Sequence, residues 1–400
     1  MPGVLLFIGG CAAAALLHSY VIYPAYLQWA ERRLPPPVPL LTPAEWPFVS
    51  VLIAAYNEAR VIIEKLDSLL RTEYPADRIR VFIGSDCSAD RTNELVSAYA
   101  AQHEQVHFYP FTVRRGKPGV INQLAEYALS ELPAGPEHLF LMTDANVLLD
   151  EHTLPRLVGR LLSDATLALV DSHLVHHRPG SAGIGRSEQT YINREVHLKY
   201  REGRLWQCMI GPFGGCYLLR ADYFSPVPTH YLVDDFYLAM RTFERGGRAV
   251  NELTAYSYEA VGEQLSEEFR RKARISTGNV QNLLTFRKLW WPPTGALGFA
   301  FFSHKILRWL GPFWLLLLYG SALGVYLLRP ASGGVVFWAL TVGLFGLPLL
   351  DWCLQQLRIQ IQPLRAVRYF LLMNVALAVG WWRFWRGEQQ GIWEPPERVG

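Results

Sequence analysis

Apolar positions along the chain follow two different rhythms. Between Phe48 and about Leu265, short apolar runs alternate with stripes spaced three and four apart. The runs Phe48–Ala54, Ile79–Ile83, Gln105–Tyr109, His138–Met142 and Ala168–Val175 predict strands, after which the alternation loosens, with a Gly-rich turn at Gly211–Gly215 before Tyr217–Arg220. Between them, Glu58–Arg71 carries a helical stripe of Val61, Ile62, Leu66, Leu69 and Leu70. Thr92–Gln102, Pro118–Glu131, Leu154–Leu162 and Ser187–Tyr200 also read as helices. Strand and helix in turn predict an α/β domain with a mostly parallel, doubly wound sheet. Outside that region the apolar runs are much longer. Val4–Leu27, Leu310–Leu328, Val335–Leu354 and Val367–Trp385 are each about long enough to cross a bilayer as a helix. Pro292–His304, flanked by Trp290, Trp291 and Trp309, reads as an amphipathic segment in the membrane interface. The expected plan is a membrane helix at 1–30, a Pro-rich linker at 31–47 and a globular domain at 48–289. An interfacial segment at 290–309, about three further spans at 310–386 and a tail at 387–400 complete it.

Composition sharpens this plan. Half of the 400 residues are hydrophobic, and the excess sits in the long runs. The net charge of +3 and the lack of a Lys/Arg stripe with stacking aromatics argue against nucleic acid as a partner. The five cysteines form no C-x-x-C pair, which fits reduced thiols in a cytoplasmic compartment. Glu31-Arg32-Arg33 follows the first span. The positive-inside rule then puts the N-terminus outside and the globular domain in the cytoplasm, at the inner membrane. Four spans would return the tail to the outside, yet Arg383 and Arg386 after the last apolar run favour the inside. No G-x-G-x-x-G follows the first strand, which argues against a dinucleotide-binding dehydrogenase.

Ligands of parallel sheets bind beyond the carboxyl ends of the strands, and several polar clusters fall there. His138–Asp150 reads HLFLMTDANVLLD. Asp144, with Asn146 two residues on, suits a hard divalent cation completed by phosphate oxygens; the plainer alternative is a cap for the following helix. Tyr56-Asn57-Glu58 and the turn Ser85–Thr92, with Asp86, can meet a nucleobase or ribose. Asp90 reads better as a helix cap. Arg114-Arg115-Gly116-Lys117 is a basic turn before a helix, suited to an anion. Val233-Asp234-Asp235-Phe236 sets two carboxylates among apolar residues, as a general base or as a helix start. EFRRKARISTGN at Glu268–Asn279 places Arg271 and Arg274 on one helical face, to meet anionic lipid or a departing diphosphate.

Taken in order, SVLIAAYNE, SDCSADRT, RRGKPGVIN, TDAN, the Gly211–Arg220 turn, VDDF and RRKARISTGN resemble the membrane-bound, inverting family 2 glycosyltransferases. The branch is that of cellulose synthase and poly-N-acetylglucosamine synthase, and the resemblance covers roughly Val49–Gln281. It implies a GT-A, Rossmann-like nucleotide-sugar domain with N- and C-terminal membrane helices. It also implies Mg²⁺ or Mn²⁺, a UDP-sugar donor, a saccharide or lipid-linked acceptor and contact with membrane lipid. It assigns Tyr56, Glu58 and Asp86 to uridine, Lys117 to the phosphate side, and Asp144 with Asn146 to the metal. Asp235, beside Asp234, stands as the base, Arg271 and Arg274 near the diphosphate, and Phe213, Gly214 and Gly215 at the acceptor. Trp393–Arg398 looks like the family's W-x-x-x-x-R tail. Three positions depart from the pattern. Asn146 replaces an Asp, Val233-Asp234 replaces Thr-Glu, and Ile275 replaces the Trp that stacks on the acceptor in processive synthases. Within the same resemblance, single addition to a lipid and a non-catalytic sugar-nucleotide-binding role stand as alternatives.

Overall fold

A computed structural model describes residues 2–177, 183–260, 265–357 and 359–388. The Trp393–Arg398 motif lies outside the described residues. The chain divides into two compact units. One comprises Met1–Trp29, Gly180–Tyr191 and Glu263–Glu388; the other comprises Ala30–Pro179, Ile192–Gly262 and Gln389–Gly400.

The first unit contains the long apolar helices. Among the described residues, four are long and apolar enough to cross a membrane: α1 (Pro2–Glu31), and, near the other end of the chain, Gly311–Leu328, Pro330–Gln356 and Gln362–Trp385.

The second unit is built on one eight-stranded sheet of order β3-β2-β1-β4-β7-β6-β8-β5. In chain order, its elements begin with β1 (Phe48–Ala55), α2 (Ile62–Leu70), β2 (Ile79–Asp86), α3 (Thr92–Ala100), β3 (Val106–Phe111) and α4 (Gly116–Glu131). β4 (His138–Thr143), β5 (Val147–Leu149), α5 (Thr153–Leu162), β6 (Leu167–His177) and α6 (Gly183–Trp206), which joins this unit from Ile192 on, follow. β7 (Cys216–Arg220), α7 (Asp234–Glu244) and β8 (Arg248–Ala260) close the set. β1 and β4 are covered on both faces, so their side chains are apolar almost without break. β1, β2, β3 and β4 pair in parallel, as the alternating pattern predicts. Beyond β4 the sheet is mixed. β7 runs antiparallel to both β4 and β6, and β5 antiparallel to β8, while β6 and β8 are parallel.

Two strands escape the apolar rhythm. β5 is three residues long. β8 carries Asn251 and Glu252 at buried positions, because Asn251 bonds Asp171 and Glu252 receives Arg160 Nε at 2.7 Å. α2 starts at Ile62 rather than Glu58 because the intervening backbone is tied elsewhere. Glu58 N donates to Thr92 Oγ1 and Ala59 N to Asp90 Oδ2. Asp90 also accepts from Thr92 N, which fits its reading as a local cap.

Register sets the functional edge. Ala55 pairs with Ser85, so β1 and β2 end level. Thr143 pairs with Cys216, and Asp171 with Tyr217. The segment entering β7 therefore passes directly beside the end of β4.

Candidate active site

Asp144 leaves the end of β4, and its backbone N–H donates to Gly215 O at 3.1 Å. The strand end is anchored from below by Lys65 on α2. The Lys65 ammonium is fully buried, donates to Thr143 Oγ1 at 2.8 Å and also bonds Val147 O. Burial pushes Lys65 down to about 8, against the attraction of Cys216 and Asp144. A buried cation is tolerated when its donors are used, and here they fix the turn between β4 and β5.

Lys117, in the first turn of α4, reaches the same edge. Its Nζ lies 2.7 Å from Asp144 Oδ1 and 3.5 Å from Asp234 Oδ2. Burial works against this charge, but the carboxylates outweigh it and raise the ammonium above its ordinary value. Burial also raises Asp144, and Lys117 opposes that shift. Asp234 and Asp235 occupy the first turn of α7, where a helix favours negative charge. The helix start and the carboxylate pair expected from VDDF are thus one feature. Asp235 is raised by burial and by the neighbouring charge of Asp234. Gly214, at φ +83°, lies against it: a Cβ there would stand 2.5 Å from Asp235 Oδ2.

Two buried groups that the pattern did not single out complete the cluster. Asp171 on β6 accepts from Phe213 N at 3.2 Å and Asn251 Nδ2 at 3.0 Å through one oxygen. Its other oxygen has no partner, and burial raises its pKa. Tyr217 is 1% exposed, and its hydroxyl has no hydrogen-bond partner. Burial first, then the charges of Asp234, Asp235, Asp144 and Asp171, hold that hydroxyl protonated. Lys199 Nζ sits 3.5 Å over the Phe213 ring. The visible trace of Asp171 was a carboxylate inside the apolar run LALVDSHLV; Tyr217 left none.

The nucleotide-side residues are tied to the basic turn by direct contacts. Asp86 Oδ1 accepts from Arg115 N at 2.6 Å, and Oδ2 accepts from Arg114 Nε at 3.1 Å and Gly116 N at 3.0 Å. Its carboxylate shapes the basic turn. The Arg114 guanidinium covers the Tyr56 ring at 3.4 Å. Glu58 is buried. Tyr56, Asp86, Lys117, Asp144, Asp234, Asp235 and the Phe213–Gly215 turn all belong to this sheet unit.

Arg271 and Arg274 do not. They lie on α8 (Leu265–Thr285) in the other unit. There Arg271 Nε donates to Glu268 Oε2 at 2.8 Å, and Lys272 Nζ lies 3.2 Å from Glu268 Oε1.

The donor set at the β4 edge suits a hard cation. Asp144 offers a carboxylate and Asn146 an amide oxygen, while the Asn146 amide nitrogen is used by Glu259 Oε1 at 3.1 Å. Oxygen ligands in this number match Mg²⁺ or Mn²⁺ completed by phosphate and water.

Residues 50–224 match the model of Glycosyl transferase family 2. Among curated relatives, a β-monoglucosyldiacylglycerol synthase of Trichormus variabilis is 32% identical over 90 residues, 22% of this chain and 19% of that protein. A poly-β-1,6-N-acetyl-D-glucosamine synthase of Staphylococcus epidermidis is 29% identical over 103 residues, 26% of this chain and 23% of that protein. The chain thus spans about a fifth of the length of the curated relatives it matches. A solved mannosyltransferase of Pyrobaculum calidifontis, in complex with GDP-Man and Mn²⁺, superposes with TM-score 0.71 at 20% identity. That match covers 96% of this chain and 99% of the other, and it establishes the fold.

Proposed function

We propose, from the premise that residues 50–224 form a family 2 glycosyl transferase domain of GT-A fold, that this chain is a membrane-embedded inverting glycosyltransferase. It transfers a sugar from a UDP-sugar to a saccharide or lipid-linked acceptor at the cytoplasmic face of a cell membrane. One observation carries the reading. Asp235, a carboxylate held above its ordinary range, shares one sheet edge with Asp144 and Lys117.

The residues divide the work as follows. Asp235 takes the proton of the acceptor hydroxyl as that oxygen attacks the anomeric carbon. Its raised basicity suits a general base near neutral pH. Asp144 and Asn146 would hold Mg²⁺ or Mn²⁺, which when bound neutralises charge on the leaving diphosphate. Lys117 supplies a fixed cation beside them. Asp86 holds the basic turn in shape, and Tyr56 with Arg114 offers a stacked surface to the base. Gly214 admits the acceptor close to Asp235. Motif position assigns Arg271 and Arg274 to the diphosphate. Ile275, in place of an aromatic platform, favours short products over a long polymer.

Purified protein in lipid should release nucleoside diphosphate from one of UDP-glucose, UDP-galactose or UDP-N-acetylglucosamine, and more so with membrane lipid extract. GDP-mannose belongs in the same panel because the superposed mannosyltransferase holds GDP-Man. Turnover of GDP-mannose alone would replace the uridine donor. Binding without turnover of any donor would favour a non-catalytic role.

A further inference from the structure

We propose that the last long helix does not cross the bilayer but lies in the plane of its catalytic-side surface, leaving three spans. With α9 (Gly295–Phe301), α10 (Gly311–Leu328), α11 (Pro330–Gln356) and α12 (Gln362–Trp385), all these elements belong to one compact unit. The inference rests on the membrane reading above and on no assigned substrate.

The spans set a depth scale. α1 and α10 run antiparallel: a Cβ at Gly9 would stand 3.1 Å from Ser321 Cβ, and one at Gly324 would stand 2.8 Å from Leu5. At the other end of the pair, Arg308 Nη2 donates to Ser19 O at 3.2 Å, and its guanidinium lies 5.1 Å from the Tyr20 ring. Ser19 and Tyr20 are therefore level with the start of α10. α11 returns alongside α10. Gly333 packs on the Tyr326 backbone, and Tyr319 meets Thr341 at 3.3 Å. Continued in the same register, Asp351 comes level with Trp309.

Contacts spread along α12 fall at that one level. Arg368 Nη1 donates to Asp351 Oδ2 at 3.1 Å. Phe370 meets Tyr20 edge-on at 5.2 Å. A Cβ at Gly311 would stand 2.5 Å from Asn374 Oδ1. Trp381 Nε1 donates to Trp309 O at 3.0 Å, and Phe313 touches both Trp381 and Trp385. From Arg368 to Trp385 is about 25 Å of helix at the usual rise. A span beside α10 would meet deeper residues turn by turn. Along this length α12 instead meets the first turn of α10, the matching ends of α1 and α11, and α8, where Ser276 Oγ donates to Leu377 O at 3.0 Å.

The faces of α12 agree. Arg365, Asn374, Ala376 and Gly380 are buried against protein. Val375, Trp382 and Trp385 are 52%, 57% and 64% exposed, spaced along one side. Arg365, Arg368, Arg383 and Arg386 bracket that stripe. An apolar stripe with Trp and flanking cations is what a helix lying among lipid headgroups presents. The partner is thus the phospholipid surface. Laid this way, α12 keeps Arg365, Arg368 and Arg383, with Arg386 just past its end, on the same side as Arg32 and Arg33. That removes the conflict between four spans and the positive-inside rule. α12 also seats α8, the helix of Arg271 and Arg274, on that surface.

Membrane-impermeant maleimide labelling in sealed vesicles of both orientations tests this, with sites assigned by mass spectrometry. Native Cys87, exposed in the sheet unit, marks the catalytic side, and Ser332→Cys marks the far side. Glu388→Cys, and separately Arg386→Cys, should label with Cys87 and not with Ser332→Cys. Labelling of either with Ser332→Cys overturns the in-plane helix. Release of the whole chain by alkaline carbonate would instead overturn the membrane reading on which it rests.

Discussion

Replacing Asp235 with Asn removes the proposed base while keeping its shape. General-base assistance is worth about 10²–10⁴-fold, or about 2.7–5.4 kcal/mol of barrier at 1.36 kcal/mol per tenfold. The structure separates this loss from unfolding. Asp235 is raised from its ordinary 3.8 by burial and by Asp234, so folding favours its protonated form. A carboxyl raised in the native state contributes stability at low pH. That contribution fades as pH rises from the unfolded value through the folded one. At neutral pH the charge therefore opposes folding, and a neutral amide relieves it. Lys117 keeps Asp144 and Asp234 as partners. Asp235→Asn should thus melt at or above the wild-type temperature at pH 7, with the margin shrinking as pH falls toward 4. Turnover should drop at least about 100-fold with donor binding retained. The assay pairs initial-rate release of nucleoside diphosphate with calorimetric donor binding and thermal melting. Turnover within threefold of wild type would remove Asp235 from the base role. Lost turnover together with a lowered melting temperature would make its role structural.

Other residues predict distinct outcomes. Gly214→Ala places a methyl against Asp235 Oδ2 and forces Ala to φ +83°. It should lower kcat about 10²-fold by misplacing the base and cost about 1–2 kcal/mol of stability, seen by kinetics and urea melts. Lys65→Met leaves Thr143 and Val147 without their buried donor and should cost about 1–3 kcal/mol. Because Lys65 is lowered to about 8 from 10.5, wild-type stability should gain as pH rises across that window. The mutant should lack the gain, as denaturant titrations at several pH values would reveal. Chelation with EDTA should stop turnover, with recovery on adding Mg²⁺ or Mn²⁺; indifference to EDTA would refute the Asp144–Asn146 assignment.

How legible these features were in the chain follows from which faces are buried. β1 and β4 are covered on both sides, so VSVLIAA and LFLM announce themselves. β8 pairs its polar residues with Asp171 and Arg160 rather than with water, and its pattern therefore resembles a loop. Asp144, Lys117 and Asp235 could be named because each sits in a short motif at a strand end or helix start. Asp171 and Tyr217 could not, since only the antiparallel register of β6 and β7 brings them beside Asp235. Asp86 was legible as a polar strand end, but its grip on the Arg114–Gly116 turn depends on backbone N–H groups that no side-chain pattern records. Val367–Trp385 was legible by its length, and the helix Gln362–Trp385 is long and apolar enough to cross a membrane.

The central claim is that Asp144, Lys117 and Asp235 surround one bound sugar nucleotide. A cryo-electron microscopy map of the protein in lipid, with Mn²⁺ and a non-transferable donor analogue, tests it most directly. The account predicts the diphosphate against Lys117, the metal against Asp144, and the anomeric carbon facing Asp235 across room for one hydroxyl. Donor density at any other edge of the sheet, with Asp235 left facing empty space, would contradict it.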